Sequence, residues 1–463
     1  MSRAADTLVA ISPVKRGGTH VVERFASFAE AFRLQPLAPE LLHHAKRSVI
    51  DWHAALFPGA VAAPALLLER ALGEELDRGA ARLALGRRAT VRAAALINGT
   101  AAHTAEVDDI FRDGIYHPGA PTVSAAFALA QARGASGAAF LRALIVGYEI
   151  STRIAAAMGR AHYRYWHNTG TIGCFGAASA AAELLGLDAG RFAQALATVA
   201  TFSAGLQQAF RMDSMSKPLH AGRAAEAGIT AALAAREGVI GSLDVLEGEA
   251  GFGRAMGDDP DWPGAFATLG REFNIARMSF KNHACCGHAF AAIDGALALQ
   301  AETRVQPEDI TRIRVGGYRA TLEVAGIADP ATPAEARFST AYLVATALTH
   351  GNVRLAAFES PRLADPATRE LMKRVDLFLD AECDAGFPSR RAARVSFELR
   401  DGRERTRFQP TRKGDPDDPL SDAELECKYL ELAAPVLGEG RAKALLARLW
   451  RLEREPAFPF AND

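Results

Sequence analysis

Residues 165–187 read YWHNTGTIGCFGAASAAAELLGL, and whether this stretch crosses a membrane or lies buried in a globular core decides the fold. Tyr165–Ala182 carries no charge and is long enough to be weighed as a membrane span. Yet His167, Asn168 and several glycines interrupt it, and alanine fills most of the rest. Two other uncharged stretches are broken in the same way: Ile115–Ala132 by Pro118 and Pro121, and Phe192–Phe210 by Gln207 and Gln208. All three read as buried helices, and no membrane partner is expected. So many small side chains at helix contacts imply that the helices approach one another closely.

Outward from this stretch, residues from about 22 to 255 keep helical spacing, with Gly and Pro at turns and almost no β alternation. Asp188 is placed to cap AGRFAQALATVA, and Ser136 to cap GAAFLRALIVGYEISTRIAAAM. The pattern changes near residue 272. FNIARMSFK is short and alternating, ITRIRVGGY (310–318) reads as a strand, and RRAARVSFELRDGRERTRF (390–408) reads as a hairpin turning at Asp401-Gly402. HAFAAIDGALALQAE and STAYLVATALTHG, between these strands, are helical, so residues 272–408 form an α+β domain. Helices return after Ser421, free to rejoin the first domain.

The 463 residues include 53 Lys+Arg and 54 Asp+Glu, a balance that excludes a broad nucleic-acid surface. The basic run Arg400–Lys413 is interleaved with Asp401 and Glu404 and reads as a solvated hairpin face. Five cysteines (Cys174, Cys285, Cys286, Cys383, Cys427), odd in number and without a CxxC pair, exclude a disulfide scaffold and supply no zinc or iron–sulfur motif. The opening MSRAADTLVAISPVKRGG has no apolar core of signal-peptide length, so a cytoplasmic protein is expected.

Chemistry concentrates in four places. In NGTAAHTAEVDDIFRDGIYHPGAP (98–121), a helix through Ala101–Asp108 would set His103 and Glu106 on one face. Asp108, Asp109 and Asp113 would crowd its end, where carboxylates oppose the helix dipole, and function is one reason to tolerate that. His117 closes the stretch. A metal centre ranks second here, because the spacing matches neither HExxH nor an EF-hand loop. His167 precedes a Gly-rich helix start, where free N–H groups meet an anion or where the imidazole merely caps. In MSKPLHAGRAAEAGITAALAAREG, Pro218 should force Lys217 out of helical conformation and set its ammonium at a helix entrance, with His220 one turn on. SFKNHACCGHAFAAID adds Lys281, His283 and His288 where the second domain begins. No GxSxG elbow, P-loop or GxGxxG arrangement is present. His, Lys and acid groups without a cofactor motif suit proton abstraction beside a carboxylate, followed by loss or movement of a β group.

These segments, in order NGTAAHTAEVDD, HPGAPTVSAAFALAQ, GYEISTRI, HNTGTIGCFGAASAAAELLGL, SKPLHAGRAAEAGITAALAAREG, FKNHACCGHAFAAID and ARFSTAYLVATALTHG, resemble the MmgE/PrpD family from about residue 40 to 430. That family includes 2-methylcitrate dehydratase, cis-aconitate decarboxylase and iminodisuccinate epimerase. The resemblance implies a mainly α fold: a large all-helical domain (1–271 and 409–463) and a smaller α+β lid domain (272–408) inserted before the C-terminal helices. It also implies a homodimer and catalysis with no metal or organic cofactor. His103, Glu106, Asp108, Asp109, His117, His167 and Lys217 are then the catalytic candidates, with Lys217, Lys281, His288 and Tyr342 as contacts to a small polycarboxylate. Four departures bear on the substrate. Glu106 and Ile110 stand where decarboxylase-like members carry Asp and Thr, the stretch from Asp109 to His117 is one residue longer, and Phe290 replaces a histidine.

The leading expectation is a lyase dehydrating a 2-methylcitrate-like hydroxy acid. His103 or His167 would exchange the α-proton, an acid of the Glu106–Asp109 group or His117 would assist the leaving hydroxyl, and both lysines would bind carboxylates. Alternatives are an epimerase of an amino- or imino-dicarboxylate, a cis-aconitate decarboxylase-like enzyme, and a carboxylate binder without turnover.

Overall fold

The computed structural model describes residues 19–211 and 214–457. The N-terminal segment read above for targeting lies outside them. Helices of eleven residues or more are numbered here. The helical region contains α1 (Val21–Arg33), α2 (Pro39–Ala60), α3 (Val91–Thr104), α4 (Gly119–Arg133), α5 (Gly137–His162), α6 (Gly173–Leu184), α7 (Ala189–Ala200) and α8 (Ser216–Arg236). Asp188 and Ser136 cap α7 and α5 as expected, accepting from the Arg191 and Ala139 N–H groups at 2.8 and 3.2 Å. Helix α6, uncharged as far as Ala182, is buried from Gly173 to Glu183. Each large apolar side chain taken out of water there, such as Phe175, contributes about 1.5–3 kcal/mol. No single helix among the described residues is long and apolar enough to cross a membrane.

The close approach predicted from alanine is tightest where α3 crosses α8. A Cβ on Gly99 would lie 2.8 Å from the Gly222 Cα, and one on Gly222 would lie 2.1 Å from the Leu96 carbonyl oxygen. Only glycine fits at either position, and this backbone contact sets His103 on α3 near Lys217 and His220 on α8. A short antiparallel hairpin, β1 (Leu76–Arg82) with β2 (Arg88–Ala89), escapes the sequence pattern because only Leu76 and Ala81 of β1 are buried.

The α+β region holds a four-stranded sheet ordered β4-β3-β5-β6. Strand β3 (Ile310–Gly317) pairs parallel with β4 (Val375–Leu379) and antiparallel with β5 (Ala393–Leu399), which turns through Gly402 (φ 82°) into β6 (Glu404–Gln409). Helix α9 (Phe290–Thr303) packs on β5 and β6, and α10 (Thr340–His350) packs on α9 and β4. FNIARMSFK is not a strand. Glu149 and Thr152 on α5 take the Asn274 N–H and side-chain amide at 2.8 and 3.1 Å, which bends the segment into a 3-10 turn. Only Ser279 keeps a bridge, to Ile110. Helices α11 (Asp422–Leu437) and α12 (Glu439–Leu449) end the described chain, and α11 lies along α2. There the buried Lys428 ammonium bonds Asp51 on α2 and reaches the Val107 carbonyl at 2.7 Å. A C-terminal helix thus holds the loop that follows α3.

Candidate active site

That loop departs from the sequence expectation. Helix α3 stops at Thr104, and Glu106 adopts a left-handed conformation (φ 57°) instead of continuing the helix beside His103. A non-glycine residue there costs about 1–2 kcal/mol. The reversal brings Val107 to Lys428 and lets Ile110 exchange backbone bonds with Ser279 at 2.8 and 2.9 Å, tying the helical region to the α+β region. Asp109 turns inward, accepting from the Gly119 N–H at 2.9 Å and the Tyr148 hydroxyl at 2.7 Å. Burial and the nearby Asp51 push its carboxyl well above the usual range, and these two bonds make it a structural tie. Asp113 pairs with Arg277 at the surface.

Asp108 faces the other way, toward the histidines. The His103 Nδ1 lies 2.7 Å from its Oδ2, so this nitrogen carries the hydrogen and leaves Nε2 as the basic atom. The His117 Nδ1 is 3.3 Å from the same oxygen but is not aligned to bond it. Burial alone would raise the Asp108 pKa, yet His103 and His117 hold it well below the usual carboxylate range. His167 stacks on His103 with ring centres 5.3 Å apart, and its Nδ1 meets the His220 Nδ1 at 3.1 Å. It makes no side-chain cap bond to the helix it precedes. Burial and the neighbouring His103 and Lys217 keep His167 far below the ordinary imidazole pKa, and burial lowers His117 to about 4. Buried polar atoms are nearly always partnered. Here the His103 Nε2, the His117 Nδ1 and the Asp108 Oδ1 are all buried and without a hydrogen-bond partner.

Lys217 lies in the first turn of α8, not outside it, because Pro218 occupies a first-turn position whose missing N–H breaks no helix bond. Its ammonium bonds the Glu106 carboxylate at 2.7 Å and lies 4.9 Å from the Phe210 ring centre. Lys281 donates to the Glu106 backbone carbonyl at 2.7 Å. The two lysines differ in character. Burial opposes the charge on both, but Glu106 outweighs it at Lys217, whose pKa is raised, whereas burial prevails at Lys281, whose pKa is lowered. Lys217 is a fixed cation and Lys281 a readier proton donor.

The remaining candidates divide. His288 bonds the Tyr318 hydroxyl at 2.9 Å in the α+β region. Tyr342 is fully buried, its hydroxyl donates to the Ala357 carbonyl and its ring faces Arg369. His283 pairs with Asp294 at 2.8 Å, and Phe290 packs its ring against His283. The sequence reading left out the His103–Asp108 pairing, because it assumed a helix through both residues. A mixed cavity lined by Leu56, Leu83, Leu437, Arg82, Gln131 and Arg441 shares no residue with the histidine cluster.

Donor atoms of His103, Asp108 and His117 lie within 4.8 Å of one another, the one described group able to hold a metal ion. Neighbouring ligands of a tetrahedral ion with bonds of about 2.0–2.1 Å sit about 3.3 Å apart. The 2.7 Å contact between His103 and Asp108 is instead a hydrogen bond, and the arrangement suits an acid–base group.

One stability prediction follows from the buried imidazoles. Burial lowers His53 and His117 from 6.5 to about 4. The unfolded chain therefore binds more protons between those limits. Stability should be complete above about pH 6.5 and fall toward pH 4 by about 1.4 kcal/mol per pH unit for each histidine. Urea midpoints measured across this range check it, and a flat profile would contradict neutral burial.

A mainly helical scaffold that gathers stacked imidazoles, an ionised carboxylate and two lysines of unlike acidity defines a protein fitted for proton transfer beside an anionic ligand. The comparisons make the assignment specific. The MmgE/PrpD N-terminal domain matches residues 23–265 and the MmgE/PrpD C-terminal domain residues 283–452, so the chain belongs to the MmgE/PrpD family. A cis-aconitate decarboxylase-like protein of Aspergillus oryzae is 30% identical over 79% of this chain and 80% of its own length. Human cis-aconitate decarboxylase is 29% identical, covering 78% and 76%. The mouse cis-aconitate decarboxylase is 28% identical over 78% and 75%.

Proposed function

We propose that this protein is a lyase acting on a small polycarboxylate, with the proton moved by His103 and the substrate's charge met by Lys217 and Lys281. The observation that carries this reading is the buried, unpartnered trio of the His103 Nε2, the His117 Nδ1 and the Asp108 Oδ1 beside two ammonium groups. Asp108 fixes the His103 tautomer, leaving Nε2 to take the proton α to a carboxylate. Lys217 holds a carboxylate. Lys281, with its lowered pKa, gives a proton to a leaving hydroxyl. This asymmetry favours dehydration of a hydroxy acid. Decarboxylation is the second reading, favoured by relatives named cis-aconitate decarboxylase.

The test incubates EDTA-treated protein with 2-methylcitrate, citrate, cis-aconitate and iminodisuccinate in deuterated buffer, followed by proton NMR. Water loss from a hydroxy acid is expected, undiminished by EDTA. Loss of CO2 from cis-aconitate would move the second reading to first place. Deuterium uptake without elimination would point to an epimerase, and silence on all four would overturn the substrate class.

A further inference from the structure

The lysine assigned to a substrate carboxylate is bonded to a carboxylate of the chain itself. The Lys217 ammonium donates to the Glu106 Oε1 at 2.7 Å and lies over the Phe210 ring. The two partners differ in access to water: the Lys217 side chain is 17% exposed, that of Glu106 48%. The Glu106 backbone is pinned, since its carbonyl takes the Lys281 ammonium at 2.7 Å and the next carbonyl, of Val107, takes Lys428 at 2.7 Å. Only the side chain is left to turn, and its exposure lets the carboxylate exchange the lysine for water at small cost.

Charge balance says which acid must yield. Counted over its lysines and acids the site is already neutral, with Lys217 and Lys281 facing Glu106 and Asp108. A polycarboxylate brings at least two further negative charges, and like charges at such separations repel strongly in an enclosed site. Asp108 cannot leave, because it is 1% exposed and holds the His103 Nδ1 at 2.7 Å. We propose that the Glu106 carboxylate holds the carboxylate position on Lys217 until a substrate carboxylate displaces it into solvent. The inference rests on the polycarboxylate reading above and deepens it, by naming a residue that sets affinity and selects against weak anions. A monocarboxylate only exchanges one ion pair for another, whereas a polycarboxylate engages Lys281 as well and so offsets the displacement.

Isothermal titration calorimetry on the full chain tests this with propane-1,2,3-tricarboxylate, which has no hydroxyl to lose. Glu106→Gln keeps the side-chain shape and removes the charge. It should bind the probe about tenfold more tightly than the unaltered protein, because apparent affinity falls with the fraction of molecules whose lysine is free. Loss of one negative charge would tighten binding even without displacement, so a crystal structure of the unaltered protein with the probe separates the two. It should show a probe carboxylate within hydrogen-bond distance of the Lys217 ammonium and the Glu106 carboxylate turned away into solvent. Equal or weaker binding by Glu106→Gln, or a complex in which Glu106 and the probe share the ammonium, would overturn the inference and leave the polycarboxylate reading in place. Displacement without turnover of any polycarboxylate would sink the lyase reading alone, and binding to neither protein would overturn both.

Discussion

Replacing His103 with glutamine should lower kcat by about 10³-fold, since a positioned general base is worth about 10²–10⁴. The imidazole Nε2 is the basic atom left over once Nδ1 is committed to Asp108 at 2.7 Å, and no other described group bonds it. A glutamine amide can still donate to Asp108, so the loop after α3 keeps its anchor and the melting temperature should fall by only a few degrees. KM should change little, because the substrate's charge is met by the lysines. An unchanged kcat would remove His103 from the chemistry and shift attention to His167, whose ring stacks on it.

The second large effect is expected at Lys217. Lys217→Ala should lower kcat/KM by about 10³-fold, combining a lost carboxylate contact with weaker stabilisation of the negative charge that develops as the α-proton leaves. Glu106, bonded to this ammonium at 2.7 Å, would be left next to Lys281 alone. Lys217→Arg should recover only part of the loss, since a planar guanidinium does not reproduce a point charge at the same spot. A protein that merely binds carboxylates would lose affinity in Lys217→Ala with no turnover to lose. Single-turnover and binding measurements on the same variant separate the two.

Much of the fold was legible because it rests on local rules. The alanine-rich parts of the uncharged stretches became buried helices, although the stretch from Phe192 leaves its helix at Ala200 and ends in an unburied 3-10 turn at Gln207–Phe210; Asp188 and Ser136 capped where their positions said they would, and Asp401-Gly402 turned the hairpin. What escaped depended on partners distant in sequence. Strand β4 is short and only half-buried, and it exists because β3 lies parallel to it. FNIARMSFK lost its strand to side chains on α5.

The site divides along the same line. His103, His117, His167, Lys217 and Lys281 are visible as unusual residues in an apolar text, whereas their roles depend on how the loop after α3 turns. The left-handed Glu106 ends the helix early, sends Asp108 to the histidines and Asp109 to Tyr148, and so splits two adjacent acids, one held well below the usual carboxylate range and the other pushed well above it. Local propensity argues against that turn, and it is held by Lys428 from the far end of the chain.

The central claim is that His103 moves the proton next to a substrate carboxylate, and exchange of that proton with solvent tests it most directly. The unaltered protein and His103→Gln would each be incubated with 2-methylcitrate and citrate in deuterated buffer, with the α-carbon hydrogens followed by NMR. The α-hydrogen of the substrate should be lost to solvent with the unaltered protein, and that loss should be slowed about 10³-fold in the variant. Equal loss of the α-hydrogen in both proteins would contradict the account.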